Sequence, residues 1–281
     1  MLDDQTSQAF PKLNRAYGAA FTPGRLSLGL VVPLEAYPNQ LAPNMERHVA
    51  RAQLADQLGF SALWLRDVPF NVPTFGDAGQ MFDPFVYLGL LSGVTQNIGL
   101  GVASIILPLR HPAHVAKAAA SADQLSGGRV LLGVASGDRP EEYPALNMSY
   151  SDRGARFRDS LAYIRKMTEH QPVYTGPHGT LDGSMDMLPK PMGARLPILI
   201  TGGSQQSPDW VAAHGDGWMT YPRDSASQAR VVEAYQTNTR AAGQALKPVM
   251  QSLYVDLVPQ EDAAPQPIHL GFRSGIGFLK S

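Results

Sequence analysis

A chain of 281 residues with 44% hydrophobic and 17% charged residues can bury a sizeable core, which excludes a disordered polymer. Its net charge of −1, with no basic stripe and no long run of like charges, excludes the electrostatic footprint of a nucleic-acid binder. The absence of cysteine excludes disulfides, thiolate metal centres, iron–sulfur clusters and a thiol nucleophile.

In chain order, RLSLGLVVPL (25–34) reads as a Leu- and Val-rich strand, and ERHVARAQLADQLGF (46–60) as a helix with Gly59 at its C-terminal cap. SALWLRD (61–67) is a second strand. FDPFVYLGLLSGVTQN (82–97) is a second helix opened by Asp83-Pro84. IGLGVASIIL (98–107) is a third strand, followed by a helix over 111–126 that Gly127-Gly128 closes. A fourth strand (129–136) and helix (153–170) come next. Residues 171–195 hold four prolines and four glycines and break the rhythm as an inserted loop or short hairpin. The alternation resumes with strands at 197–201, 216–221 and 250–258 and helices at 207–214 and 224–242.

Seven mostly continuous apolar strands alternating with helices fit parallel strands buried on both faces. A (β/α)₈ barrel is preferred over an open doubly wound sheet, because no G-x-G-x-x-G follows the first strand. The expected organisation is one barrel domain over 1–281, with a short irregular tail at 259–281. That tail has room for one edge strand (268–272), so the barrel is expected to close incompletely. The acidic start MLDDQTSQAF lacks an apolar signal core, and the longest apolar stretch (98–109) is too short to span a bilayer. The expectation is a soluble, cytoplasmic protein.

In a barrel, chemistry collects where strands end. Those ends carry Glu35, Arg66-Asp67, Pro108, Arg110-His111, Ser136-Gly137-Asp138-Arg139, Gly203-Ser204, and Tyr221 with Arg223. Each has an alternative as a helix cap. The strongest local signal is Gly202-Gly203-Ser204-Gln205-Gln206-Ser207 between a strand and a helix. Bare backbone there suits either an anion or close strand–helix packing. His111 and His114 have the spacing of metal ligands on one helix face but lack a third partner, so no metal is expected. No G-x-S-x-G elbow occurs.

GLVVPLE (29–35), ARAQLADQLGFSALWLRDVP (50–69), IGLGVASIILPLRHPAHVAKAAASADQLSGGRVLLGVASGDRPEEYPAL (98–146) and ITGGSQQSPDWVAAHGDGWMTY (200–221) together resemble the bacterial-luciferase-like flavin oxidoreductases. The similarity runs from about Arg25 to Val258. It implies a (β/α)₈ barrel that binds FMN, or the deazaflavin F420 in one branch. The implied activity is a monooxygenase that uses reduced FMN and oxygen on a small organic substrate, with a separate flavin reductase. An F420-dependent oxidoreductase and a flavin-binding protein without turnover are the other readings.

The resemblance also assigns residues. Gly202, Gly203, Ser204 and Ser207 inherit the grip on the flavin phosphate, joined by Arg153, with Arg156 second. Asp67, taken as the catalytic candidate, lies beside the flavin ring with Ala135, Ser136 and Gly137. Ala103–Ser104 is the position of a non-proline cis peptide under the ring. A homodimer through the helices at 85–94 and 114–125 is implied as well. Two departures stand out: Arg66-Asp67 replaces a histidine beyond strand two, and Ala135 replaces a reactive cysteine. Light emission and an aldehyde substrate are therefore not implied.

Overall fold

The computed structural model describes residues 10–35, 37, 42–72 and 81–253. In chain order the elements are α1 (Arg15–Ala20), β1 (Gly29–Val31), α2 (His48–Gln57), β2 (Ala62–Leu65), α3 (Pro84–Val94), β3 (Gly99–Ile106) and α4 (Pro112–Ser126). There follow β4 (Val130–Ala135), α5 (Glu142–Ala145), α6 (Arg153–Lys166), β5 (Val173–Gly176), β6 (Gly179–Asp182), β7 (Ile198–Thr201), α7 (Pro208–His214), β8 (Gly217–Thr220), α8 (Ser225–Ala241) and β9 (Val249–Gln251).

Seven strands form one sheet in the order β1-β2-β3-β4-β7-β8-β9, and every pairing is parallel. The sheet curls so that inner side chains of β2, β4, β7 and β8 share one cluster with Met250 of β9. This is the curled architecture of a (β/α)₈ barrel. Among the described residues β1 and β9 do not pair, so the barrel is incompletely closed. The expected edge strand at 268–272, the tail, and residues 254–258 of the last strand lie outside the described residues.

The pleat sorts each strand into two faces. Leu63, Leu65, Leu100, Val102, Val130, Leu132, Val134, Ile198 and Ile200 pack outward against the helices. Ala62, Trp64, Leu131, Leu199 and Met219 point into the barrel. Trp64 fills much of that interior, and glycine on the flanking strands makes the room. A Cβ at Gly101 would sit 2.2 Å from the indole ring, and one at Gly29 2.6 Å from the indole nitrogen.

Two elements differ from the sequence expectation, while the inserted segment 171–195 meets it. The strand expected over 25–34 is three residues long, with Leu26 and Leu28 exposed and Val32–Pro33 ending it. As an edge strand it has only one partner to bury those side chains. The segment 171–195 contains an antiparallel hairpin, β5–β6, outside the main sheet. The short helix α1 was not expected. Asn14 caps it by accepting from the Tyr17 N–H, and Ala16 donates to the Gly128 carbonyl. It therefore plugs the barrel at the N-terminal ends of the strands.

Candidate functional site

The opposite end, where β2, β3, β4, β7 and β8 finish, gathers most of the residues singled out in the sequence. The Ala103–Ser104 peptide is cis, and the β3–β4 register shifts between Val102 and Ile105. Gly133 lies opposite, where a Cβ would come within 2.1 Å of the Val102 carbonyl oxygen. The Ser104 hydroxyl pairs with that of Thr201, and Thr201 Oγ1 lies 3.3 Å from Met219 Sδ. A hydroxyl pair thus sits on an otherwise apolar floor.

Asp67 does not arrive at this rim as a bare carboxylate. It accepts from the Ile106 N–H at 3.1 Å and from Arg110 at 3.0 and 2.7 Å. Arg110 also reaches Asp83, which caps α3 through the Phe85 and Val86 N–H groups. Burial alone would lower the Arg110 pKa, but hydrogen bonds and charge from Asp67 and Asp83 outweigh it and raise the value. Asp67 is well suited to fixing the rim.

The end of β4 is tied to the start of α6 through two tyrosines. The Tyr143 hydroxyl donates to the Ser136 carbonyl, and Gly137 turns the chain with φ +78°. Tyr143 meets Tyr150 edge-to-face at 5.1 Å, and the Arg153 guanidinium lies 3.7 Å over the Tyr150 ring. Arg153 also donates to the Tyr150 carbonyl at 2.9 Å. Its Nε, though buried, has no hydrogen-bond partner. Arg156 differs, because its guanidinium is already engaged with the Pro108 carbonyl. Of the two candidates, Arg153 has a buried donor without a partner.

The glycine–serine turn packs on the same helix start. Gln206 Nε2 donates to the Gly154 carbonyl at 2.8 Å, and a Cβ on Gly154 would meet Gln205 Cβ at 2.9 Å. Gly202, Ser204 and Gln205 all have positive φ, at 55°, 45° and 61°. Two of these are not glycine, so the fold holds an uncommon backbone there, of the kind found at ligand clamps. Left-handed residues on either side of Gly203, which is not left-handed itself, turn neighbouring N–H groups toward one side, the alternation found in an anion nest. The Gly202 N–H and carbonyl are used by Met219 and Trp218. The N–H groups of Gly203, Ser204 and Gln205 find no partner among the described residues.

The serines are placed differently from the sequence expectation. Ser204 donates its hydroxyl to the Thr201 carbonyl at 2.8 Å, holding the turn closed. Ser207 stands at the N-cap of α7 without a capping bond, and its side chain bonds Asp209. Pro208 occupies the first helical position and offers no N–H. The donors available to an anion are therefore backbone groups of the turn and Arg153. This set fits a phosphate group.

Sequence reasoning passed over Tyr143, Tyr150 and Glu142. Glu142 is 2% exposed, and its Oε1 has no hydrogen-bond partner. Burial pushes its carboxyl up to about 7, against the opposing charge of Arg139 and with a further push from Asp67 and Asp138. The only sequence signal was an acidic residue two places after a proline at a strand end. His111 and His114 lie with ring centroids 5.9 Å apart. Among the described residues no group of three or more histidines or carboxylates is arranged to hold a metal, and no helix is long and apolar enough to cross a membrane.

Comparison with known proteins gives three kinds of match. A family model described as luciferase-like monooxygenase matches residues 20–268. An uncharacterized protein of Mycobacterium tuberculosis is 32% identical over 229 residues, covering 75% of this chain and 80% of its own. An F420-dependent hydroxymycolic acid dehydrogenase of the same species is 30% identical over 226 residues, covering 79% of this chain and 59% of its own. Among solved structures, the monooxygenase RslO1 from Streptomyces bottropensis superposes with a TM-score of 0.71 at 23% identity, covering 81% of this chain and 70% of that one. That likeness establishes the fold.

Proposed function

The chain belongs to the luciferase-like monooxygenase family, and from that premise we propose that it is an FMN-dependent monooxygenase of a small organic substrate, served by a separate flavin reductase. One observation carries the reading: Arg153, with a buried donor without a partner, and the left-handed turn 202–205 converge on one rim. When bound, the flavin supplies the redox chemistry that no side chain here provides.

The chain's own residues bind, orient and exclude water. Arg153 and the N–H groups of Gly203, Ser204 and Gln205 hold the phosphate. Gly202 turns the chain toward it, and Ser204 and Ser207 shape the loop from within. Asp67, Ala103, Ser104, Ala135, Ser136 and Gly137 form the walls against the ring, with Asp67 acting through Arg110 and the Ile106 N–H. The Ser104–Thr201 pair holds a hydroxyl proton at the floor. Trp64 and Met219 close that floor to water from below, which protects reactive chemistry from solvent.

A second reading is an F420-dependent oxidoreductase, supported by the 30% identical dehydrogenase. A homodimer is also part of the proposal. Val86 and Leu90 on α3 and Leu125 on α4 are exposed, while Ala119 and Ala122 pack inward. Light scattering at micromolar concentration tests it, a monomer being the refuting result.

The deciding experiment is an anaerobic titration with FMN and with F420, followed by oxygen consumption with NADH and a flavin reductase. Micromolar FMN binding with substrate-dependent oxygen uptake supports the first reading. Hydride transfer confined to reduced F420 supports the second. Binding without turnover leaves a flavin-binding protein.

A further inference from the structure

Glu142 opens α5 directly beyond the turn that ends β4, and it is buried without a hydrogen bond to Oε1. Arg139 is its ion-pair partner, 3.6 Å from Oε1. Both side chains are more than nine-tenths buried. The element that carries Glu142 is also the one that fixes the site. The adjacent Tyr143 donates to the Ser136 carbonyl and faces Tyr150, on which Arg153 stacks.

The charged groups around Glu142 come from several elements. Arg139 and Asp138 lie on its own turn, and Asp67, held by Arg110, comes from the end of β2. Arg153 and Arg156 act on the neighbouring Tyr143 from α6. Two of these groups are negative and close enough to oppose ionisation of Glu142, while Arg139 favours it.

We propose that Glu142 is a positioning residue that takes up a proton when an anionic, reduced cofactor binds, so that the charge at the end of β4 rises by one unit as the negative ring arrives. This rests on the flavin reading given above. No bond to the cofactor is required, because the coupling is electrostatic. The reduced flavin ring is an anion at neutral pH, whereas the oxidised ring is neutral. Proton uptake and anion binding must then favour one another equally, since linkage is reciprocal. In this view the rim distinguishes the two redox states of one ligand by charge.

The test uses the intact protein and needs no turnover. Infrared difference spectra across pH should contain a protonated-carboxyl band that is lost in Glu142→Gln. Calorimetry in two buffers of different ionisation heat should then record proton uptake when the wild type binds reduced FMN under anaerobic conditions, and far less with oxidised FMN. The wild-type affinity for reduced FMN should fall about tenfold more than that of Glu142→Gln between about pH 6 and pH 9, a typical coupling between sites. Titration of the ligand is common to both proteins and cancels in that ratio. Equal pH slopes in the two proteins, or no proton uptake by the wild type, overturn the proposal while leaving flavin binding intact. Failure of both proteins to bind FMN or F420, with Glu142 still titrating, overturns the functional reading and the coupling with it. The wild-type calorimetry remains decisive if the variant folds poorly.

Discussion

The two ends of the barrel solve the problem of buried polar groups in opposite ways. At the N-terminal ends of the strands, Asp216 is 1% exposed and accepts from Arg165 at 2.6 Å, from Arg195, and from the Ile198 N–H at 2.9 Å. Arg129, 2% exposed, sends its guanidinium to the carbonyls of Ser92, Thr95, Ile98 and Ser126. Asp123 accepts from Asn14, Val130 and Met192. At the C-terminal ends, Arg153 Nε and Glu142 Oε1 are buried and lack hydrogen bonds, and three residues of one turn are left-handed. A satisfied network stiffens a fold, whereas buried polar groups left without a partner mark the end kept for function. The difference separates a closed end from an open one in a single barrel.

The largest expected effect tests the closed end. Asp216→Ala strands two guanidinium groups and a backbone N–H, and should cost about 3 kcal/mol of stability, the range for breaking a buried pair. Urea unfolding measures it. FMN affinity of the folded fraction should be unchanged, and a large loss there would erase the distinction between the ends.

Arg153→Ala is the converse. It removes a charge-assisted donor worth about 1.5–3 kcal/mol, so the FMN Kd should rise by roughly 10- to 100-fold. Riboflavin, which lacks the phosphate, should bind wild type and variant alike, and losing the contacts to Tyr150 should cost about 1 kcal/mol of stability. Parallel losses for both ligands would leave the phosphate assignment without support.

The two ends should also titrate with opposite sign. Glu142 at the open end has its pKa raised to about 7 by burial, above the ordinary 4.5. Its contribution to stability is complete below pH 4.5 and is lost as pH rises through about 7, up to about 3 kcal/mol. Lys247 at the closed end has its pKa lowered to about 8 by burial, from 10.5, although its Nζ donates to the Ala212 carbonyl. The folded protein there binds fewer protons than the unfolded chain, so stability should be regained as pH rises from about 8 toward 10.5. Denaturation midpoints across pH, compared with Glu142→Gln and Lys247→Met, separate the two. Each variant should flatten only its own window.

The smallest effects sharpen the turn itself. Ser204→Ala loses one bond to the Thr201 carbonyl and should cost about 1 kcal/mol of stability, with a modest loss of FMN affinity. Ser207→Ala should change affinity by less than about 0.5 kcal/mol, as surface substitutions usually do, because its side chain is engaged with exposed Asp209. A tenfold loss on Ser207→Ala would return that hydroxyl to the phosphate.

Local pattern was enough to place most of the strands and helices. The apolar runs at 61–67, 98–107 and 129–136 correspond to β2, β3 and β4, and Gly59 and Gly127 take the positive φ that helix ends need. Such features depend on residues a few places apart, so one sequence carries them. The short first strand and α1 were misread or missed, because neither is specified by its own periodicity. An edge strand is shortened by having one neighbour, and a six-residue helix is held by Asn14 and by the Gly128 carbonyl far along the chain.

For the site, the sequence by itself determined the residue types at the rim: glycines where backbone must come close, an arginine opening α6, hydroxyls at 104 and 201. Only the tertiary structure decided which of them remain available. Arg156 Nε and Nη2 are engaged with the Pro108 carbonyl and Asp67 is taken by Arg110, while Arg153 keeps a buried Nε without a partner. The physical reason is that availability of a donor or acceptor is a property of its neighbours. Those neighbours lie on other strands and helices, at sequence distances that no local pattern spans.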